Sequence, residues 1–403
     1  MTIKNEHNKI NVPNLRFPEF QGEWEKCKLE DVMNFSTTRI NSSELNEDNY
    51  VSTENMLQDY QGIMEAKSVP EDVNVISYSC GDILISNIRP YLKKVWKATF
   101  NGGCSSDVFV LKANDNIESD YLHYVIANDK FINFVMSGAK GVKMPRGDKK
   151  QMKTYSLSLP QIQEQKKIGK MLSLLDERIA TQNNVIDKLQ SLIKGIADNL
   201  LDNPLWEKTY LRSFMQFFST NSLSWEQLSY EEGEIRNLHY GLIHGFLTSG
   251  INSASLPMVK YGAMPKQYTL CQVGDVAFAD ASEDTGEIAK SVEFVDTIDV
   301  ETICGLHTIH GRDVKNKTLV GFKGFVFNSR YFHNQIKRLA QGTKVFSITA
   351  NNLSSCYIYL PDIETQKVIV KLLKAYEEQL IVNKSTLKQY EKQKQYLLRQ
   401  MFI

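Results

Sequence analysis

The chain repeats itself once, at about half its length, and that repeat limits the folds open to it. LPQIQEQKKI, from Leu159 to Ile168, returns as LPDIETQKVI from Leu360 to Ile369, an offset of 201 residues. The offset holds without a gap from Tyr121 and Phe322 to Leu201 and Phe402. Tyr121, Tyr124 and Phe131 fall on Phe322, Phe325 and Phe332, and Gly141-x-Lys143 falls on Gly342-x-Lys344. Each half opens alike, with WEKCKLEDVMNF from Trp24 and WEKTYLRSFMQFF from Trp206. GDILIS at Gly81 matches GDVAFA at Gly274, and SSDVFVL after Cys104 matches GLHTIHG after Cys304. Between these shared ends the halves diverge: 136 residues separate the tryptophan from the shared proline in the first and 155 in the second. Self-similarity on this scale describes one scaffold built twice, carrying two different variable faces.

Each half reads as a mixed α+β domain followed by a long helix. Strands are expected at Ile83–Ile85, Val108–Leu111 and Val292–Val295, bounded by Gly, Asn and Asp. Helices are expected over Asp120–Met136 and Phe322–Leu339. Pro160 and Pro361 then suit the first turn of a longer helix. From Ile168 the apolar positions Leu172, Leu175, Ile179, Ile186, Leu189, Ile193, Ile196 and Leu200 keep a heptad, broken at Gln182. The same register gives Ile369, Leu373, Tyr376, Leu380, Asn383, Leu387, Tyr390, Lys394, Leu397 and Met401. A coiled coil of two helices, each roughly 60 Å long at ~1.5 Å per residue, is the reading. The expected order is a first domain at 1–158, a helix at 159–203, a second domain at 204–359 and a helix at 360–403.

Composition excludes more than it selects. Lys plus Arg and Asp plus Glu both number 47, so the chain lacks the basic excess of a purely electrostatic nucleic-acid binder. Cys27, Cys80, Cys104, Cys271, Cys304 and Cys356 are scattered without a C-x-x-C pair, which fits reduced thiols better than a disulfide framework or a zinc site. No apolar run approaches the ~18 residues of a membrane span, and the N-terminus is polar, so a cytoplasmic protein without membrane contact is expected.

The order variable head, long helix, variable head, long helix resembles the specificity subunit of type I restriction–modification enzymes. The two LP-x-I-x-x-Q-K segments and the entry segment NLRFPEFQGEWEKCKLEDV carry the resemblance, with GDILISNIRPYL and SSDVFVLKA adding to it. It covers nearly the whole chain. It implies two target recognition domains, each reading half of a split site in double-stranded DNA. It implies an antiparallel pair of helices that sets the gap and docks two methyltransferase subunits, with restriction (motor-nuclease) subunits joining the complex. S-adenosylmethionine, ATP and Mg belong to those partners, and no catalytic residue, cofactor or metal is assigned to this chain. A self-contained nuclease or DNA methyltransferase with a degenerate motif, or a coiled-coil protein scaffold, are the competing readings.

Candidate DNA contacts follow from chemistry. GAKGVKMPRGDKKQMK, from Gly138 to Lys153, sets Lys140, Lys143, Arg146 and Lys149 among glycines that let a phosphate approach. NIRPYLKKVW clusters Arg89, Tyr91, Lys93 and Lys94, and arginine can read guanine bidentately. In the second half Lys344 and Ser347 lie in the matching turn, and His307 is placed with His310 on a predicted strand. An ordinary solvated basic turn competes with each assignment. Gln182 and Asn383 are equivalent under the repeat and lie near the helix midpoints, so antiparallel pairing would bring these amides together and fix the register. Asn203-Pro204-Leu205-Trp206 departs from the methyltransferase N-P-P-aromatic motif at Leu205. Pro361-Asp362 lacks the E-x-K of a nuclease core, and His239 and His244 are badly spaced for a helical metal pair.

Overall fold

The computed structural model describes residues 11–245, 250–251, 253–295 and 301–403. It divides into two units, one of residues 1–182 with 386–403 and the other of residues 183–385. Each long helix therefore contributes part of its length to both.

In the first unit, strands Met33–Phe35, Val108–Ala113, Ile83–Ser86 and Val95–Lys97 form an antiparallel sheet in that order. Its apolar side packs against helices Ser119–Ile126 and Asp129–Ser137 in one core with Trp24, Tyr121, Phe131 and Val135. A second sheet, Arg39–Asn41, Asn74–Tyr78, Gly102–Cys104 and Tyr50–Val51, ends in a parallel pair. The second unit repeats the first sheet strand for strand, as Met215–Phe218, Thr308–Asp313, Val276–Ala279 and Ser291–Glu293. Its second sheet runs in a different order of pairing, Leu228–Ser229, Met258–Val259, Arg236–Leu238 and Thr302–Cys304. The sheet under the shared helices is thus common to both heads, and the other sheet is where they diverge.

The long helices span Ile162–Leu201 and Ile363–Gln400, starting a few residues inside their expected segments. The residues ahead of them are strands, Leu159 pairing with Glu25 and Leu360 with Glu207. Every position of the two heptad runs is buried or half-buried. Within the first unit the two helical stretches run antiparallel: Ile168 and Leu172 share a core with Met401 and Phe402, while Asp176 Oδ1 lies 2.6 Å from Lys394 Nζ. Tyr121 stacks on Phe402 at 5.2 Å, and Tyr124 Oη donates to Asp176 Oδ2 at 2.8 Å. In the second unit Phe322 and Phe325, their repeat partners, pack with Ala197, Leu201, Ile369, Val370 and Leu373. Gln182 ends the first unit's share of its helix. Asn383 lies in the second unit, where its Nδ2 donates to the Gln379 carbonyl at 2.7 Å. No helix among the described residues is long and apolar enough to cross a membrane.

Three expected elements are corrected. The helix expected over Asp120–Met136 is two helices. Asn128 is extended between them and its side chain accepts from Lys130 N, an N-cap that starts a new helix. The helix expected over Phe322–Leu339 breaks likewise into Phe322–Val326 and Arg330–Leu339 at an extended Ser329. The apolar period runs through both breaks because both pieces face one core. The strand expected at Val292–Val295 is Ser291–Glu293, and it ends where Phe294 N turns to bond the Asp275 carbonyl.

The LP-x-I-x-x-Q-K motif has a structural explanation. Gln165 is 1% exposed; its Oε1 accepts from Glu118 N at 2.8 Å, and its Nε2 donates to the carbonyls of Pro160 at 2.8 Å and Asn116 at 3.2 Å. Gln366, 0% exposed, repeats the pattern with Leu319 N at 2.7 Å, Pro361 O at 2.9 Å and Lys317 O at 3.1 Å. Each glutamine ties the start of its long helix to the loop that enters Ser119–Ile126 in the first head and Phe322–Val326 in the second. Beside it in the first unit, the buried Glu164 takes a two-pronged ion pair from Arg16, both contacts at 2.8 Å, which explains the arginine of the entry segment.

Replacing Gln366 by alanine leaves an amide and two carbonyls without their buried partner. It should lower the unfolding free energy of the intact chain by about 2–4 kcal/mol in chemical denaturation. A change below about 0.5 kcal/mol, the size of a surface substitution, would show that the clamp holds nothing together.

Candidate nucleic-acid interface

The two basic segments of the first half form one surface. Strand Ile83–Ser86 delivers the chain to Asn87, and the Gly138–Lys153 turn comes back alongside it. Arg89 N donates to Pro145 O at 2.8 Å, Gly147 N donates to Asn87 O at 2.8 Å, and Ile88 bridges to Arg146. Lys140 and Arg146 close the turn by exchanging backbone hydrogen bonds of 3.1 and 2.9 Å. Gly141, at φ +98°, supplies the left-handed residue that a turn this tight requires, and the following Val142 is fully exposed. The result is a projecting hairpin beside the Arg89–Lys94 loop.

Side-chain partners sort the candidates. Arg89 and Lys143 are exposed and form no ion pair among the described residues, and Tyr91 is 47% exposed. Lys140 is 3.9 Å from Asp148, and Arg146 is 3.2 Å from Asp107 with its side chain still 55% exposed; such exposed pairs yield readily to a phosphate. Lys93 meets Asp129 at 2.8 Å. Lys94 and Lys149 are turned inward. Lys94 Nζ donates to the Thr53 carbonyl at 2.5 Å, and Lys149 Nζ sits 4.6 Å over the ring of Phe109 and 5.1 Å over that of Phe35. Burial lowers the pKa of both amines, with Arg89 adding to the effect at Lys94.

The second head builds the same corner from different residues. Ala281–Ser282 pairs with Phe346–Ser347, and Gln341 with Ser347 replaces the Lys140–Arg146 bridge. Lys344 is the one cation of that turn, between an exposed Ser347 and Gly342, where a Cβ would collide with the Val345 carbonyl. His307 is not on the predicted strand, which begins at Thr308. It occupies the turn before it at φ +55°, exposed, with Nδ1 3.1 Å from Asp280 Oδ1. The alternation that puts His310 on the strand cannot hold His307 there too, because the chain must turn tightly at Leu306–His307 for Asp280 N to reach the His307 carbonyl.

Reading the sequence missed a row of rings on this head. Trp225 lies 4.5 Å from His239, His239 4.8 Å from Tyr240, and Tyr240 5.3 Å from His307, with Trp225 46% exposed. The His-Tyr pair after a strand was the available signal, but only topology brings Trp225 and His307 to it. His244 is apart from His239 and binds Glu287 at 2.9 Å. Asp362, of the nuclease-like Pro-Asp, is a helix cap that accepts from Thr365 N at 2.8 Å. Leu205, of the methyltransferase-like string, is 91% exposed in a turn whose amide bonds Asn203 Oδ1. A separate buried group, Cys271, Cys304 and His310, could hold a metal, and spacing along the chain gave no sign of it.

The type I restriction modification DNA specificity domain model matches residues 21–191 and 299–392, taking in the first head, most of both long helices and the end of the second head. The chain belongs to this specificity family. A protein named type I restriction enzyme MjaVIII specificity subunit, from Methanocaldococcus jannaschii, is 25% identical over 99% of this chain and 96% of its own length. The crystal structure of the type I restriction–modification system S subunit from M. genitalium matches with a TM-score of 0.61 at 15% identity, covering 97% of this chain and 99% of that one. A structure described as the basis of complex assembly and conformational transition of the type I R-M system matches at 0.56 and 16%, covering 93% and 96%. At these identities the likeness to solved chains concerns the fold.

For a DNA-specificity chain the hairpin makes a definite demand. Changing Lys140, Lys143 and Arg146 together to alanine should weaken binding to every DNA sequence. It should also reduce the slope of log affinity against log salt by up to about 3, since each phosphate contact contributes ~0.9. A lost preference at one base pair with the slope intact would make one of these residues a base reader instead.

Proposed function

We propose that this chain is the sequence-reading, non-catalytic subunit of a type I restriction–modification complex, and that its two heads read the two halves of a bipartite, asymmetric site. One observation carries the reading: the same sheet, helix pair and glutamine clamp occur twice, yet the corner they present is a cationic hairpin in one head and an aromatic–imidazole row with a single lysine in the other. Identical scaffolds place their loops alike, whereas unlike loops meet unlike base edges, so the site read is split and asymmetric. Arg89, Tyr91, Lys140, Lys143 and Arg146 serve the first half-site, with Lys93 beside them. His307, Lys344 and Ser347 serve the second, joined by Trp225 and Tyr240. Lys94 and Lys149 support the first corner from within.

Methyl transfer and cleavage belong in this reading to two methyltransferase subunits and to the restriction subunits. Those partners bring S-adenosylmethionine, ATP and Mg, and this chain brings the address. Replacing residues 25–155 with the corresponding head of another family member should change one half of the methylated motif and leave the other half intact. If both halves change, or neither does, the heads do not read independently and the proposal fails.

A further inference from the structure

In the core of the second head, three potential metal ligands that are distant in sequence meet. Cys304 ends the strand Thr302–Cys304, and His310 lies within Thr308–Asp313. Cys271 is held beside the first of these strands by its N–H on the Thr302 carbonyl at 2.8 Å. The two sulfurs are 3.6 Å apart, and one ligand atom from each of the three residues lies within 4.8 Å of the other two. Cys271, Cys304 and His310 are 6%, 3% and 1% exposed. His310 Nε2 bonds Asp275 Oδ2 at 2.7 Å. That buried carboxylate is itself fixed by Gln272 N at 2.8 Å and by Arg312, whose Nε reaches Oδ1 at 2.8 Å and Nη2 reaches Oδ2 at 2.7 Å.

The first head shows what the scaffold itself needs at these positions. Tyr78 stands four residues before Asp82 as Cys271 stands four before Asp275, and it pairs with Gly102 where Cys271 bonds Thr302. Cys104 and Val110 occupy the places of Cys304 and His310. All three first-head residues lie in one apolar cluster, 2%, 0% and 1% exposed. Lys112, in the place of Arg312, keeps a contact to Asp82 of 3.7 Å. Apolar filling therefore suffices for the fold. The second head instead sets a second thiol and an imidazole at the same depth, both facing Cys304.

A disulfide is a poor partner. The Leu270–Ile303 bridge sets Cys271 opposite Thr302, so Cys304 is its diagonal neighbour. Diagonal residues are about 7–8 Å apart at Cα, at the limit of what a disulfide spans without moving the backbone. A tetrahedral ion with sulfurs at ~2.3 Å would instead hold them roughly 3.7 Å apart, close to the spacing present.

We propose that Cys271, Cys304 and His310 bind a zinc ion. Two thiolates and an imidazole are ligands that select zinc over harder cations. With Nε2 committed to Asp275, Nδ1 is the nitrogen left for the metal, and Asp275 acts as the outer carboxylate that orients a ligating histidine. A water molecule completes the tetrahedron. The site also has a place in the head's architecture: Cys304 and His310 stand three residues to either side of His307, so the ion would pin both arms of the turn that carries it.

The full chain, purified reduced and without chelator or metal-affinity resin, should contain one equivalent of zinc by mass spectrometry of the metal. Exchange with Co(II) should give the thiolate-to-cobalt absorption of a tetrahedral site. His310→Val, which copies the first head's residue, should retain the circular dichroism spectrum and lose stoichiometric zinc, as should Cys271→Ala. Cys104→Ser in the first head should leave zinc unchanged. Should the variants fail to fold, the zinc content and cobalt spectrum of the unmodified chain still decide. A folded, reduced chain that carries no more zinc than a Cys271→Ala/Cys304→Ala/His310→Val variant and gives no such cobalt band overturns the proposal, as does a Cys271–Cys304 disulfide found by peptide mapping.

Discussion

A buried glutamine at the start of each long helix is the contact on which the organisation of each unit depends. Gln165 and Gln366 each satisfy one amide and two carbonyls that would otherwise be sealed from water, and in doing so fasten the helix to the loop before its head's helix pair. A buried amide needs its full set of partners, so few other side chains fit there. This explains why the best-preserved part of the repeat is ten residues around the glutamine and not the larger sheets. The packing next to it is less exacting: Phe322 and Phe325 fill the places of Tyr121 and Tyr124 with rings that carry no hydroxyl.

With the helix start fixed, each head can change its outer loops at little cost. The helix-backed sheet has the same strand order in both heads because its apolar side must fit the same helices. The other sheet is free of that demand, and there the pairing order differs. At the corner beyond it the first head concentrates Lys140, Lys143 and Arg146 on a glycine turn. The second keeps the turn and replaces most of the charge by Trp225, Tyr240 and His307. Cations attract any phosphate through a long-range, salt-sensitive force, whereas rings act at contact.

Much of this was legible in the sequence. Heptads predicted both long helices and their shielded seams, and alternation bounded by turn residues located the strands at Ile83 and Val108. What failed did so for identifiable reasons. The breaks at Asn128 and Ser329 are set by backbone capping, which an unbroken apolar period conceals. His307 looked like a strand residue because its neighbours are, yet the chain needs a left-handed turn at that point. In the sequence the candidate DNA contacts of the first head are two separate basic runs, and only the Ile88–Arg146 bridge shows that they form one corner. The same limit hid the row from Trp225 to His307 and the group of Cys271, Cys304 and His310, whose members come together through sheet pairing and not through spacing.

Two unlike heads on one repeated scaffold should read two unlike half-sites. Methylation-sensitive sequencing of DNA from cells expressing this chain with its methyltransferase partners decides the matter. One methylated motif is expected, made of two different specific segments separated by a fixed run of unread bases, with no methylation when this chain is left out. A continuous motif, a palindromic one, or the same methylation without this chain would contradict it.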